Sequence, residues 1–424
     1  MLMKSGIWGA DNRRVLAASL VGTSVEFYDF YIYATAASLV FGPMFFPAAS
    51  PSSQLLSSYA TFAVAFIARP IGAAVFGHFG DRIGRKSTLV ASLMLMGGST
   101  FAIAFLPGYA QAGLIAPLLL CLLRFGQGFG LGGEWGGAAL LAVENAPPGW
   151  RARFGMFPQL GAPVGFIAAN GLFLLLSIFL TPDQFKAWGW RLPFLASALL
   201  VAVGMWVRLK LTETPAFARA MAEAEPAKAP LLDVLRHHPL QVFAGTFAAV
   251  ICFALFYLST AFALGYGSTT LGYPRTTFLA VQLAAIGFMA VGTVLAGIWA
   301  DKTSARQVLM WGCVMTVGVG LVTAPMMGSG SLWLVWGYLA LALLVMGFVY
   351  GPLGAFLPHL FPARVRYTGA SAAFNVGGVI GGGLTPFVAT ALAQKGGLVP
   401  VGLVLSGVAL ISLLAMIPLR KEHP

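Results

Sequence analysis

Long apolar runs separated by short polar breaks dominate this chain, and their length is the first clue to its class. A helix that crosses the hydrocarbon core of a bilayer needs about 20 consecutive apolar residues. Twelve segments qualify, at approximately 15–41, 54–78, 87–106, 113–143, 154–180, 188–209, 239–266, 276–299, 306–326, 332–357, 368–393 and 398–418. The breaks are rich in Gly, Pro and Ser, as at Pro47, Ser50 and Pro51. One hydrophilic stretch, about 211–238, stands apart and carries Glu213, Glu223, Glu225, Lys228, Asp233, Arg236 and His237. It divides the spans six and six. The expected fold is an all-α membrane protein with a bundle over 1–210, a linker over 211–238 and a second bundle over 239–424.

Composition agrees. Of 424 residues, 58% are hydrophobic and 9% charged, whereas soluble domains carry roughly a quarter charged residues. The mean hydropathy is +0.85. Transmembrane helices tolerate the 52 glycines and 25 prolines, and use small residues for close packing. A net charge of +12 would suit a nucleic-acid partner, but the placement of the charges excludes one. Nineteen of the 25 basic residues fall on one side of the predicted spans and four on the other, leaving Arg69 and Arg124 inside spans. The positive-inside rule then puts both termini and the linker in the cytoplasm, with lipid as the surrounding partner. The first apolar run is too long for a signal-peptide core and no small-residue cleavage site follows it, so it is expected to remain as the first span. Cys121, Cys252 and Cys313 lie far apart in apolar stretches and read as packing residues. The histidines form no metal-ligand cluster, and no nucleotide loop or nucleophile constellation is present. Neither an enzyme nor a cofactor is implied, and a monomer would suffice.

The two halves echo each other. Gly77, Asp81, Arg82, Arg85 and Lys86 follow the second span; Gly297, Asp301, Lys302 and Arg306 follow the eighth, with glycine and aspartate both offset by 220 positions. Arg151-Ala152-Arg153 before the fifth span is matched by Arg364-Val365-Arg366 before the eleventh. Duplicated six-helix halves are a transporter architecture with the solute held near the midplane. The first of these loops fits the signature G-x-x-x-D-R-x-G-R-[RK] of the major facilitator superfamily. Its glycines allow a tight turn, its bases hold the loop inside, and Asp81 can face a helix N-terminus of the other half, where the macrodipole favours an anion. Gly77, Asp81, Arg82, Arg85, Lys86 and the second-half Asp301 are therefore the expected gating residues.

Further stretches sharpen the likeness: Glu26-Phe27-Tyr28-Asp29-Phe30-Tyr31, Ala68-Arg69-Pro70, Arg124-Phe125-Gly126-Gln127-Gly128, Gly132-Gly133-Glu134-Trp135, Trp190-Arg191-Leu192-Pro193, Tyr350-Gly351-Pro352 and Arg366-Tyr367-Thr368-Gly369. Across nearly its whole length the chain resembles the metabolite:proton symporter branch of that superfamily, with the Phe45-Phe46-Pro47 turn and the Trp135 region most like the shikimate-transporter group. The resemblance implies uptake of organic acids such as shikimate, 2-oxoglutarate or citrate, or of zwitterions such as proline and betaine, across a bacterial inner membrane. An exporter of the same fold is the rival reading.

Intramembrane charges mark where such chemistry would occur. Glu26 and Asp29, three residues apart in the first span, share a helix face with Tyr33. Two carboxylates so close cannot both ionise cheaply in a low dielectric, so one is suited to carrying a proton; the alternative is a static ion pair with Arg69 or Arg124. Arg124 lies about ten residues inside its span, and its fork suits a substrate carboxylate or a structural partner among Glu26, Asp29 and Glu134. Glu134, flanked by glycines, is either a further proton carrier or a strut between helices. Arg69 sits at the Pro70 bend and is weighted towards structural pairing. Gln127, Tyr33, Tyr257, Tyr350 and Asn375 are the candidate polar contacts for a solute, with Tyr266 and Gln282 behind them. Trp190 and Arg191 read as an interface anchor.

Overall fold

The computed structural model describes residues 10–47, 50–83, 85–132, 134–210, 230–362 and 365–419. The side chains of 77–83, 85–89 and Glu134 lie outside that description, as does most of the expected linker. Among the described residues twelve long helices run in the predicted order, with short helices between some of them. They are α1 (10–45), α2 (Pro51–Ile83), α3 (Arg85–Ile103), α4 (Ile115–Glu144), α5 (Arg151–Phe179), α6 (Leu192–Lys210), α7 (Pro239–Thr269), α8 (Arg275–Lys302), α9 (Ala305–Met327), α10 (Leu332–His359), α11 (Arg366–Gly396) and α12 (Leu398–Met416). Among the described residues ten helices are long and apolar enough to span a bilayer; α1 and α3, whose apolar part is Val90–Ile103, complete the set. Large apolar side chains such as Phe179 and Trp333 face outward, where only lipid could cover them.

Packing repeats between the halves. In the first, α1 lies on α5 and α6, α2 on α4, and α3 on α4 and α6. In the second, α7 lies on α11 and α12, α8 on α10, and α9 on α10 and α12. The halves meet through α2 against α11 and α5 against α8, pairs that the same internal symmetry exchanges. They touch towards both faces of the membrane: Tyr59 and Ser38 donate to the Ala261 carbonyl on the predicted outer side, and Asn375 Nδ2 donates to the Gly132 carbonyl at 3.0 Å nearer the inner side.

Glycine explains how polar helices come close enough to exclude lipid. A Cβ on Gly128 would lie 2.1 Å from the Ala65 carbonyl oxygen and one on Gly132 would lie 2.1 Å from that of Arg69, so this edge of α4 beds on the α2 backbone. Gly126 and Gly130, on the neighbouring edge, meet Ser99 and Ser92 of α3. Among the described residues the turns widen to π form in three places, Ala37–Phe41, Leu258–Phe262 and Gly378–Gly383. The first two begin 221 positions apart and so are counterparts in the duplication. Wide turns leave backbone carbonyls open to outside donors, and such turns cluster at functional sites.

One sequence expectation changes. Trp190 is no interface anchor: it is fully buried between Phe41, Phe45 and Phe194, while Arg191 donates to the Ala104 and Leu106 carbonyls at the end of α3. An arginine holding helix-end carbonyls satisfies groups that lipid cannot.

The α2–α4 contact yields a stability test. Gly128→Val should lower the detergent melting temperature markedly, since overpacking costs about 1–3 kcal/mol. Gly137→Ala, with open space at its Cβ, should leave it almost unchanged; both are read by thermal unfolding monitored through size-exclusion chromatography.

Candidate functional site

The charged centre forms where α1, α2 and α4 face α7 and α11. Arg124 is fully buried, its guanidinium carbon 3.9 Å from the Tyr33 ring centre, 4.2 Å from Phe30 and 4.9 Å from Phe62. Arg69 is buried 5.4–5.9 Å from the rings of Phe30, Phe66, Phe253 and Phe374, two from each half. Phe30 thus adjoins both cations. Desolvated cation–π contacts are worth roughly 2 kcal/mol each, which offsets part of the cost of burying a guanidinium. The rings cannot satisfy its in-plane N–H groups. Arg124 Nε and Nη2 and Arg69 Nε have no hydrogen-bond partner. These donors are left open to an acceptor.

Asp29 is fully buried beside this centre but points elsewhere. Its Oδ1 accepts from Ser197 of α6 at 2.6 Å, and its Oδ2 lacks a partner. Gln127 joins the two regions. Its Oε1 accepts from Arg124 Nη1, while its Nε2 donates to the Asp29 backbone carbonyl and to Thr100, both at 2.9 Å. Glu26 is buried too and acts electrostatically on Arg69. Tyr33 bonds to Thr61 of α2 at 2.8 Å. Residues expected on one face of α1 therefore serve different neighbours: Asp29 bonds to α6 and Tyr33 to α2. Helix spacing specifies angle, while the neighbours specify which partner lies there.

The second half supplies mainly rings and orphaned polar atoms. Tyr257 packs on Phe62 and Phe66 and lies within electrostatic range of both arginines. Tyr350 Oη and Asn375 Oδ1 are buried without partners, while Asn375 Nδ2 ties α11 to α4. Trp135 stacks on Phe374 at 3.7 Å and donates to Gln159, whose Nε2 reaches the Tyr350 carbonyl. The sequence weighted Arg69 towards structural pairing and gave no sign of this aromatic box. The Arg69-Pro70 pair was the available signal for the former, but nothing in the string places Phe253 and Phe374 beside it.

On the side predicted to face the cytoplasm, Asp301 occupies the place foreseen for a loop aspartate. Its Oδ1 accepts from the Ala152 backbone N–H at 2.7 Å and its Oδ2 from that of Arg153 at 3.2 Å, so it caps α5 of the other half. Arg153 Nε adds a 2.5 Å ion pair. The counterpart side chains of Gly77, Asp81, Arg82, Arg85 and Lys86, and that of Glu134, lie outside the described residues.

Twelve helices in two duplicated halves, with buried cations at their junction, define a transporter of the major facilitator type. The chain belongs to the sugar (and other) transporter family, whose pattern matches residues 15–242. It is 50% identical over 410 residues to the inner membrane metabolite transport protein YhjE of Escherichia coli (strain K12), covering 95% of this chain and 93% of that one. It is 38% identical over 389 residues to the shikimate transporter of the same organism, covering 90% and 87%. Among solved structures, the proton:xylose symporter XylE superposes with a TM-score of 0.74 at 16% identity over 96% of this chain and 94% of that one, a likeness of fold. The protein is therefore a multi-pass membrane transporter of metabolites and not an enzyme.

If Asp301 holds the halves together, removing it should open the inner side. Asp301→Ala deletes about 1–3 kcal/mol of charge-assisted bonding. It should speed thiol labelling of a cysteine placed at Ser371 about fivefold or more in a background lacking native cysteines; an unchanged rate would show that the contact does not restrain opening.

Proposed function

We propose that this protein imports a small organic acid together with protons by alternating access across a bacterial inner membrane. The carrying observation is the pair of buried guanidiniums at the junction of the halves, with N–H groups that nothing in their aromatic box satisfies. A carboxylate is the group whose geometry matches that fork. The kinship with a shikimate transporter supports an acid as cargo. Arg124 is the anchor, with Arg69 the second cation facing the same box. Gln127 relates the anchor to Asp29, and Tyr33, Tyr257, Tyr350 and Asn375 shape the space around the solute.

Asp29 carries the proton in this scheme. A fully buried carboxylate with one bonded and one unpartnered oxygen is better suited to cycling between charged and neutral forms than a carboxylate locked in an ion pair. Glu26 and Glu134 are the further acidic groups of the coupling set. The bundles 1–210 and 239–424 rock about the midplane, joined by 211–238, with both termini cytoplasmic and the monomer as the working unit. The Asp301 cap, together with Gly77, Asp81, Arg82, Arg85 and Lys86, forms the inner gate.

Proteoliposomes given an inward proton gradient should accumulate labelled shikimate or a related acid, and a protonophore should abolish accumulation. Arg124→Ala should reduce uptake to background while the protein still reaches the membrane; full uptake by that variant would remove the anchor. Asp29→Asn should lose gradient-driven accumulation yet keep solute exchange between the two sides. Retained accumulation in Asp29→Asn would assign the proton to another group.

A further inference from the structure

A small enclosed void lies at the junction of the halves, along the Tyr31 and Thr35 side of α1. Its volume is about 10 Å³, on the scale of one water or one hydroxyl group. Thr35 and Asn170 line it from the first half, Thr260 and Gln282 from the second. Gln282 is 1% exposed. Its Nε2 donates to the Ser259 carbonyl at 3.2 Å and the Thr260 carbonyl at 2.8 Å. Both belong to the widened π turn of α7.

Those two bonds determine the polarity of the remaining amide atom. Turning the amide over would set its oxygen against two carbonyl oxygens, so nitrogen must face the π turn and oxygen must face away. That oxygen, Oε1, is buried without a partner. Thr35 cannot fill it, because its hydroxyl already donates to Asn170 Oδ1 at 2.5 Å. An amide held on one side by backbone thus keeps a fixed, unsatisfied acceptor on a residue that lines a void large enough for one small group.

We propose that Gln282 Oε1 accepts a hydrogen bond from an O–H or N–H group of the transported solute, a subsite distinct from the arginines. The inference rests on the reading of this protein as an organic-acid transporter. A carboxylate is repelled there, acceptor against acceptor, and so is directed to Arg124. The preferred cargo then carries an anion at one end and a donor at the other, as a hydroxy acid or a secondary amino acid does. Simple carboxylates and quaternary ammonium zwitterions lack the donor and are disfavoured. Leaving a buried acceptor unpaired is what rejects them.

The test compares matched solutes in one preparation. Proteoliposomes are assayed for uptake of shikimate against cyclohexene-1-carboxylate, and of proline against glycine betaine. Wild-type protein should favour the donor-bearing member of a transported pair about tenfold in kcat/KM, the value of one hydrogen bond. In Gln282→Leu, and in the longer Gln282→Met, that ratio should fall towards one; being a ratio, it is insensitive to the folded fraction. A preference for the hydroxy acid alone, or for proline alone, identifies which donor the site takes. A flat ratio in the wild type, or an unchanged ratio in an active variant, overturns the subsite and leaves the transporter reading intact. Uptake of neither pair sinks the organic-acid reading and this inference with it.

Discussion

A guanidinium inside a bilayer has no water to hydrate it, and that constraint organises the middle of this protein. Arg69 and Arg124 lie within a shared wall of aromatic rings, with Phe30 touching both. The rings stabilise the positive charge through their faces but leave the N–H edges without acceptors. An interior arranged in this way tolerates a cation while part of its donor edge stays unpaired. On the proposed function, stability and selectivity come from the same atoms. The wall draws on both halves, so any rocking of one bundle against the other must change how these charges are covered.

The same scarcity of water governs the backbone. The Leu258–Phe262 π turn opens carbonyls that an α-helix would have used internally. Side chains from other helices take them up: Gln282 holds those of Ser259 and Thr260, and Tyr59 and Ser38 reach that of Ala261. Local helix geometry, contact between the halves and the polarity of the central void are thus coupled. Glycine has the complementary role, letting α2 and α4 approach until backbone meets backbone. Asp301 does the same electrostatic service at the end of α8, satisfying two N–H groups that begin α5.

Within the site, the chemistry is divided by connection and not by distance along α1. Asp29 and Arg124 are linked through Gln127, which touches the Asp29 backbone and not its carboxylate. Arg124 and Asp29 are therefore joined through a shared hydrogen-bonded residue while each keeps unpartnered polar atoms. A direct ion pair would have closed both.

The sequence by itself determined the helix count, the six-and-six division and the duplicated loops, because bilayer thickness and the absence of water leave strong one-dimensional signatures in hydropathy and charge. It also marked Asp29, Arg124 and Gln127, since charged and amide groups inside apolar runs are conspicuous. Only the tertiary structure decided that Arg69 joins Arg124 in one aromatic box, that Trp190 is buried, and that two carbonyls of α7 fix the Gln282 amide with its oxygen left unpartnered. Those facts depend on which rings and carbonyls stand opposite a side chain, and a helix's neighbours come from distant parts of the chain that periodicity cannot relate.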